Sequence, residues 1–198
     1  MKKLSKLLLL ASALSILLFS IPAFADTTIH EASMPRLNFN SNGAQTVFTG
    51  DQTGYLFFCN IYSLYYSKTT DAGSNWANAV KIDDADINDD CYSNAVWYDQ
   101  WTPGDSGTKV HILAGDSSTD DDLIYIEFDT SDDSSTVAGN ISDAAGMAAG
   151  NYEDYANNLA ITKATDGDLY AAIADDTSDY VLTCTGTCTT SGHWAETS

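Results

Sequence analysis

Asp84, Asp86, Asn88 and Asp90 place oxygen-bearing side chains at every second position of one short stretch, an alternation that Ca²⁺ favours. The stretch lacks the Gly at the sixth and the Glu at the twelfth position of an EF-hand loop, so a solvated acidic turn is the competing reading. Zinc is a poorer fit: a zinc site needs tighter Cys spacing and nearby histidine, whereas His30, His111 and His193 are scattered. His111 sits among Val110, Ile112 and Leu113, which reads as a packed strand histidine before a catalytic one. Arg36 is the sole arginine, so a carboxylate clamp built from several bidentate guanidiniums is excluded for this chain. Glu153 beside Tyr152 has the residue types of an acid and a nucleophile, set against the reading of a polar loop.

The elements that must carry these residues begin after a leader. Lys2, Lys3 and Lys6 precede an apolar run from Leu7 to Ile21, and Ala23-Phe24-Ala25 supplies a small-x-small cleavage site, so residues 1–25 read as a secretory signal. The mature part, residues 26–198, is expected outside the cell or in the periplasm. Removing the leader deletes three lysines and no acid, which moves the formal charge from -20 to -23 and leaves Arg36, Lys68, Lys81, Lys109 and Lys163 as the strong bases. Nucleic acid and anionic membrane are poor partners for such a surface, and no later segment is apolar enough to span a bilayer. Cys59, Cys91, Cys184 and Cys188 are an even set in a compartment where disulfides persist. Cys59 with Cys91, and Cys184 with Cys188, is the favoured pairing among the three connectivities that four cysteines allow.

One unit recurs along the mature chain. Gly54–Asn60, Lys109–Asp116 and Asp168–Asp175 are strand-like runs, each preceded by a second (Gln45–Phe48, Asn94–Tyr98, Asn158–Thr162) and followed by a third (Leu64–Ser67, Leu123–Phe128, Asp179–Thr183). With Tyr55, Val110 and Leu169 as markers, the period is 55 and then 59 residues. The runs are short, rich in β-branched and aromatic residues and bounded by turn formers, which predicts antiparallel strands joined by hairpins. Val80, Lys81 and Ile82 supply a fourth strand to the first unit, whereas the third unit is expected to lack one because Ser198 follows Trp194 so closely. The expected fold is all-β, a partial propeller of about three four-stranded antiparallel blades at about 36–83, 84–140 and 141–198.

Thr69-Thr70-Asp71-Ala72-Gly73-Ser74-Asn75-Trp76 fits the pattern [ST]-x-D-x-G-x-x-W, and it resembles the Asp box, or bacterial neuraminidase repeat, of sialidase-like propellers. The third unit holds a worn copy, Thr189 to Trp194, which keeps Gly192 and Trp194 but not the Asp; the second unit has only Asp129–Asp133 at that place. The pattern is structural in chemistry: hydroxyl and carboxylate groups bond the amides of a hairpin, Gly supplies an uncommon backbone angle, and Trp packs the turn on its blade. The resemblance implies a first clamp arginine near Arg36, a possible ligand contact, but neither the family's acid Asp nor its neighbouring Arg is present in the loop Cys59–Ser63. It also implies a ligand face formed by the loops at 83–90, 116–122 and 175–179, all acidic and so unfavourable to a sugar acid.

Two functions follow from the resemblance. The first is a secreted binding or scaffold module that engages a glycan or a cell-surface partner without a complete catalytic site. The second is the amino-terminal part of an exo-sialidase-like glycoside hydrolase whose catalytic blades are missing. Three blades are too few to close a ring, so self-association through open blade edges is also expected. Material secreted from the chain's own leader is expected to begin at Asp26 on amino-terminal sequencing, and a retained leader would remove the case for export.

Overall fold

In the computed structural model, residues 44–60, 63–82, 91–116, 123–146, 158–174 and 179–197 are described. They form three four-stranded antiparallel sheets, each a meander whose spatial order follows the chain. The first comprises β1 (Ala44–Phe48), β2 (Gly54–Asn60), β3 (Ser63–Thr69) and β4 (Val80–Lys81). The second comprises β5 (Cys91–Tyr98), β6 (Lys109–Asp116), β7 (Leu123–Asp129) and β8 (Ser134–Asn140), followed by one short helix, α1 (Ile141–Ala144). The third comprises β9 (Asn158–Lys163), β10 (Leu169–Ala174), β11 (Asp179–Cys184) and β12 (Trp194–Glu196). The fourth strand expected to be missing is therefore present. Trp194 itself opens it, pairing with Cys184 while its indole turns inward, so three residues suffice.

Side-chain periodicity explains how the sheets stack. Successive strand residues point to opposite faces. In β6 and β7 both faces are buried: Val110, Ile112, Ile124, Ile126 and Phe128 join Val47, Tyr55, Phe57 and Leu64 of the first sheet in one core. Leu113, Leu123 and Tyr125 join Leu159, Ile161, Leu169, Ile173, Leu182 and Trp194 of the third sheet in the other. The middle sheet is thus sandwiched, with β5 lying against β1 and β2 on one side and against β9 on the other. Its strands read as nearly unbroken apolar runs for that reason. By contrast β10 alternates, with Leu169, Ala171 and Ile173 inside and Tyr170 and Ala172 outside. Phe128 locks the first seam, its ring centroid 5.4 Å from Tyr55, 5.3 Å from Phe57 and 4.8 Å from Tyr66.

Both favoured disulfides are present, Cys59–Cys91 and Cys184–Cys188. The first links the end of β2 to the start of β5 and so ties two sheets together across 32 residues, while the second closes a tight turn within the third sheet across 4. Loop-closure entropy grows with the span. Replacing Cys59 and Cys91 by Ser is expected to cost about 4 kcal/mol, and replacing Cys184 and Cys188 about 2 kcal/mol, in chemical denaturation. The reverse order would show that the inter-sheet link does not restrain the unfolded chain.

Candidate functional site

The polar residues that the sequence singles out occupy three places in the described structure. The first is the turn after β3. Thr69 Oγ1 accepts hydrogen bonds from the amides of Gly73 (3.0 Å) and Asp71 (3.4 Å) and donates to Asp71 Oδ1 (2.9 Å). Asp71 in turn accepts from the Asn75 amide at 2.8 Å and from Asn75 Nδ2 at 2.7 Å. These bonds, those from the Asn75 side chain and amide foremost, hold the Asp71 carboxyl below the usual carboxylate range. Ala72 and Gly73 take φ of 58° and 85° in succession, a left-handed pair that Gly73 makes tolerable. Trp76 is half-buried, meeting Phe48 edge-on at 6.5 Å. Every one of these contacts stays within the first sheet and its turn.

The worn copy in the third unit differs. Gly192 lies in a single 3₁₀ turn, Ser191–His193, and is not among the left-handed glycines. Trp194 is buried, donates from Nε1 to the Cys188 carbonyl at 3.0 Å and packs 5.1 Å from the Tyr125 ring. In the second unit the corresponding hairpin follows β7, and Asp129 accepts from Thr108 Oγ1, the Ser131 amide and Lys109 Nζ. The Lys109 bond leads in holding its carboxyl well below the ordinary range.

The second place was not foreseen. Immediately after β5, the 3₁₀ turn Asp99–Trp101 carries the Asp99 side chain back into the seam between the second and third sheets. Asp99 Oδ1 lies 2.9 Å from His111 Nε2 and 2.5 Å from Lys163 Nζ, and Oδ2 accepts the Lys109 amide at 2.9 Å. His111 Nδ1 is 2.6 Å from the Tyr125 hydroxyl. With Nε2–H donating to Asp99, Nδ1 accepts the Tyr125 proton, so one tautomer satisfies the whole row. Lys163 also reaches Asp105 at 2.9 Å. Gly107 is required here for space: a Cβ on it would stand 2.1 Å from Asp99 Oδ2.

An Asp–His–Tyr row has the order of a proton relay, but its location decides what it does. Asp99 and His111 are 2% and 4% exposed and Tyr125 is fully buried, so no substrate reaches the phenol. Burial, then the Glu127 and Asp99 charges, push the Tyr125 hydroxyl far above its ordinary pKa. Burial alone would raise Asp99 as well; the hydrogen bonds from His111, Lys163 and the Lys109 amide outweigh it and hold that carboxyl well below its usual range. Burial likewise pulls Lys163 down, and Asp99 and Asp105 more than reverse it. The row therefore acts as a hydrogen-bonded latch between sheets.

The third place is the matching latch at the other seam. Lys68 of β3 pairs with Asp133 of the β7–β8 hairpin at 2.7 and 2.9 Å, and the Tyr55 hydroxyl donates to the same carboxylate at 2.6 Å. Burial, followed by the Asp133 hydrogen bond, pushes the Tyr55 phenol up to about 12.

Several expected site residues lie outside the described residues: Arg36, Glu153 and the Ca²⁺ candidates Asp84, Asp86, Asn88 and Asp90. Among the described residues no group of His, Cys, Asp or Glu is placed to hold a metal. Trp101 is 43% exposed and stands edge-on to Trp97 at 5.6 Å, an open aromatic face at the end of the second sheet. Neither a family model nor a curated protein matches the chain.

Removing the Asp99 carboxylate leaves the buried His111 without its acceptor and the half-buried Lys163 with Asp105 alone. Asp99→Ala is expected to cost about 3–5 kcal/mol at neutral pH by denaturant titration. Because the folded pKa of Asp99 is depressed, its contribution is complete above the unfolded carboxylate value of about 4 and drains as pH falls through the folded value. The gap between wild type and variant should therefore narrow toward acid, and a gap that widens would contradict the latch.

Proposed function

We propose that this chain is a segment of a secreted, sialidase-like Asp-box propeller that engages a glycan or a cell-surface partner without turning it over. The observation that carries the proposal is the stacking of three like meanders, one of them closed by the Thr69–Trp76 turn, with its hydroxyl, carboxylate and left-handed glycine bonded to one another. Repeated stacked meanders present their connecting loops in rows, which suits recognition of an extended surface. Charge points the same way. A face rich in carboxylates accepts neutral sugars or a cation and repels sialate, while Arg36 offers a single guanidinium where a sialidase clamp needs three.

The test pairs a glycan array with a fluorogenic sialoside assay, each run with and without Ca²⁺. Array binding without hydrolysis is the expected outcome, and Asp71→Ala should lower the melting temperature while leaving the affinity of the folded fraction unchanged. Saturable sialoside hydrolysis that copurifies with the chain would favour the amino-terminal part of a glycoside hydrolase. Absence of binding to any glycan or cell surface would overturn the proposal.

A further inference from the structure

We infer that Trp101 is a stacking platform for one ring of an uncharged sugar, a role that rests on the glycan binding proposed for this chain and gives it a place in the fold. The chain has four tryptophans, and packing accounts for three of them. Trp76 lies against Phe48, Trp97 is half-buried and donates to Thr102, and Trp194 is buried against Tyr125. Trp101 is 43% exposed. Its ring contacts are edge-on, to Trp97 at 5.6 Å and to Tyr98 at 6.5 Å, so neither neighbour lies flat on the indole. It belongs to the connection between β5 and β6, and the middle sheet already has a layer on each face. Its exposure is therefore not that of an outer sheet awaiting a neighbour.

The turn that carries it is anchored on both sides. Thr102 Oγ1 accepts the Trp97 Nε1–H at 3.0 Å and donates to the Lys163 carbonyl of β9 at 2.8 Å, so the residue after Trp101 is tied to two sheets. Asp99, two residues before it, is fixed in the latch by His111, Lys163 and the Lys109 amide. Further on, the Asp105 amide donates to the Thr102 carbonyl and the Asp105 carboxylate accepts the Gly107 amide. An aromatic ring already held in place loses little freedom when a ligand covers it, so more of the contact energy appears as affinity.

The surroundings select the ligand. Gln100, Pro103, Gly104 and Ser106 are exposed and none carries a large apolar side chain, so the indole is a flat apolar area one ring wide within a polar rim. A lipid surface or a protein partner calls for a broader apolar patch. A pyranose matches: its C–H face covers the indole while its hydroxyls remain among polar groups. The sugar is neutral because this network has no spare cation. Lys163 is shared by Asp99 and Asp105, and the chain as a whole carries a net charge of -20.

The indole N–H resonances of the isotope-labelled chain test this during titration with neutral oligosaccharides of glucose, mannose, galactose and N-acetylglucosamine, and with a sialylated one. Trp101→Phe assigns the resonance. A saturable shift of the Trp101 signal with at least one neutral oligosaccharide is expected. Trp101→Ala should weaken that binding more than about 10-fold at an unchanged melting temperature, and Trp101→Phe should weaken it less. Tyr170→Ala, at an exposed ring on the third sheet, should leave it unaltered. Neutral-sugar binding that leaves the Trp101 signal unmoved and survives Trp101→Ala would overturn the inference while glycan binding itself stands. A shift seen only with the sialylated sugar or with phosphatidylcholine vesicles would overturn the assignment to a neutral ring. Absence of binding to every oligosaccharide would overturn it whatever a cell-surface assay shows.

Discussion

The central strands of the middle sheet, β6 and β7, have no face that water can wet, and the rest of the architecture answers that constraint. Ile112, Ile124, Ile126 and Phe128 point one way and Leu113, Leu123 and Tyr125 the other, all of them buried. An apolar sheet of this kind is unstable alone, since it can be covered only by a layer on each side. The first and third sheets supply those layers, and β9 and β10 of the third keep an alternating pattern because they are covered on their inner face by the middle one. A stack of meanders is what results when one unit repeats and its central copy is apolar on both sides.

Stacked apolar faces can slide, and the polar groups at the seams prevent it. Each seam holds one lysine from an outer sheet and one aspartate from the middle sheet or its turns: Lys68 with Asp133, and Lys163 with Asp99. Directional hydrogen bonds at fixed atoms define a register that hydrophobic contact leaves loose. In a chain with eight strong bases against 28 acids, placing two of the scarce cations at the seams means that acidic side chains there are balanced where burial makes an unpaired charge most costly. The Cys59–Cys91 link adds a covalent tie at one of the same seams.

The tight turns show how local chemistry serves this stack. Thr69, Asp71 and Gly73 satisfy one another within eight residues, so their arrangement depends little on the neighbouring sheets. Trp194 is the opposite case. Its indole lies against Tyr125 of the middle sheet, which also holds His111, so the last strand of the third sheet is positioned by a residue some 70 places earlier, an interval read from the sequence. One motif is self-contained, whereas its worn relative is held by tertiary contact.

This division marks what could be read in advance. Alternation, turn formers and the recurrence of Gly54–Asn60 in Lys109–Asp116 and Leu169–Ala174 are local properties, so the sequence alone determined the first three strands of each unit, their antiparallel pairing and the threefold repetition, but not β8. Sequence alone could not choose among the three cysteine connectivities, and the fold brings together the favoured pairs. The Asp99 latch was illegible because Asp99, His111, Tyr125 and Lys163 are separated by 12 to 64 residues and share no motif. They meet only because β5, β6, β7 and β9 converge at one seam. The twelfth strand was missed for a related reason: three residues carry too little periodicity to announce a strand, and Trp194 becomes one by pairing with Cys184. Short-range preference determined each element, while burial on two faces of a single sheet decided which distant charges must meet.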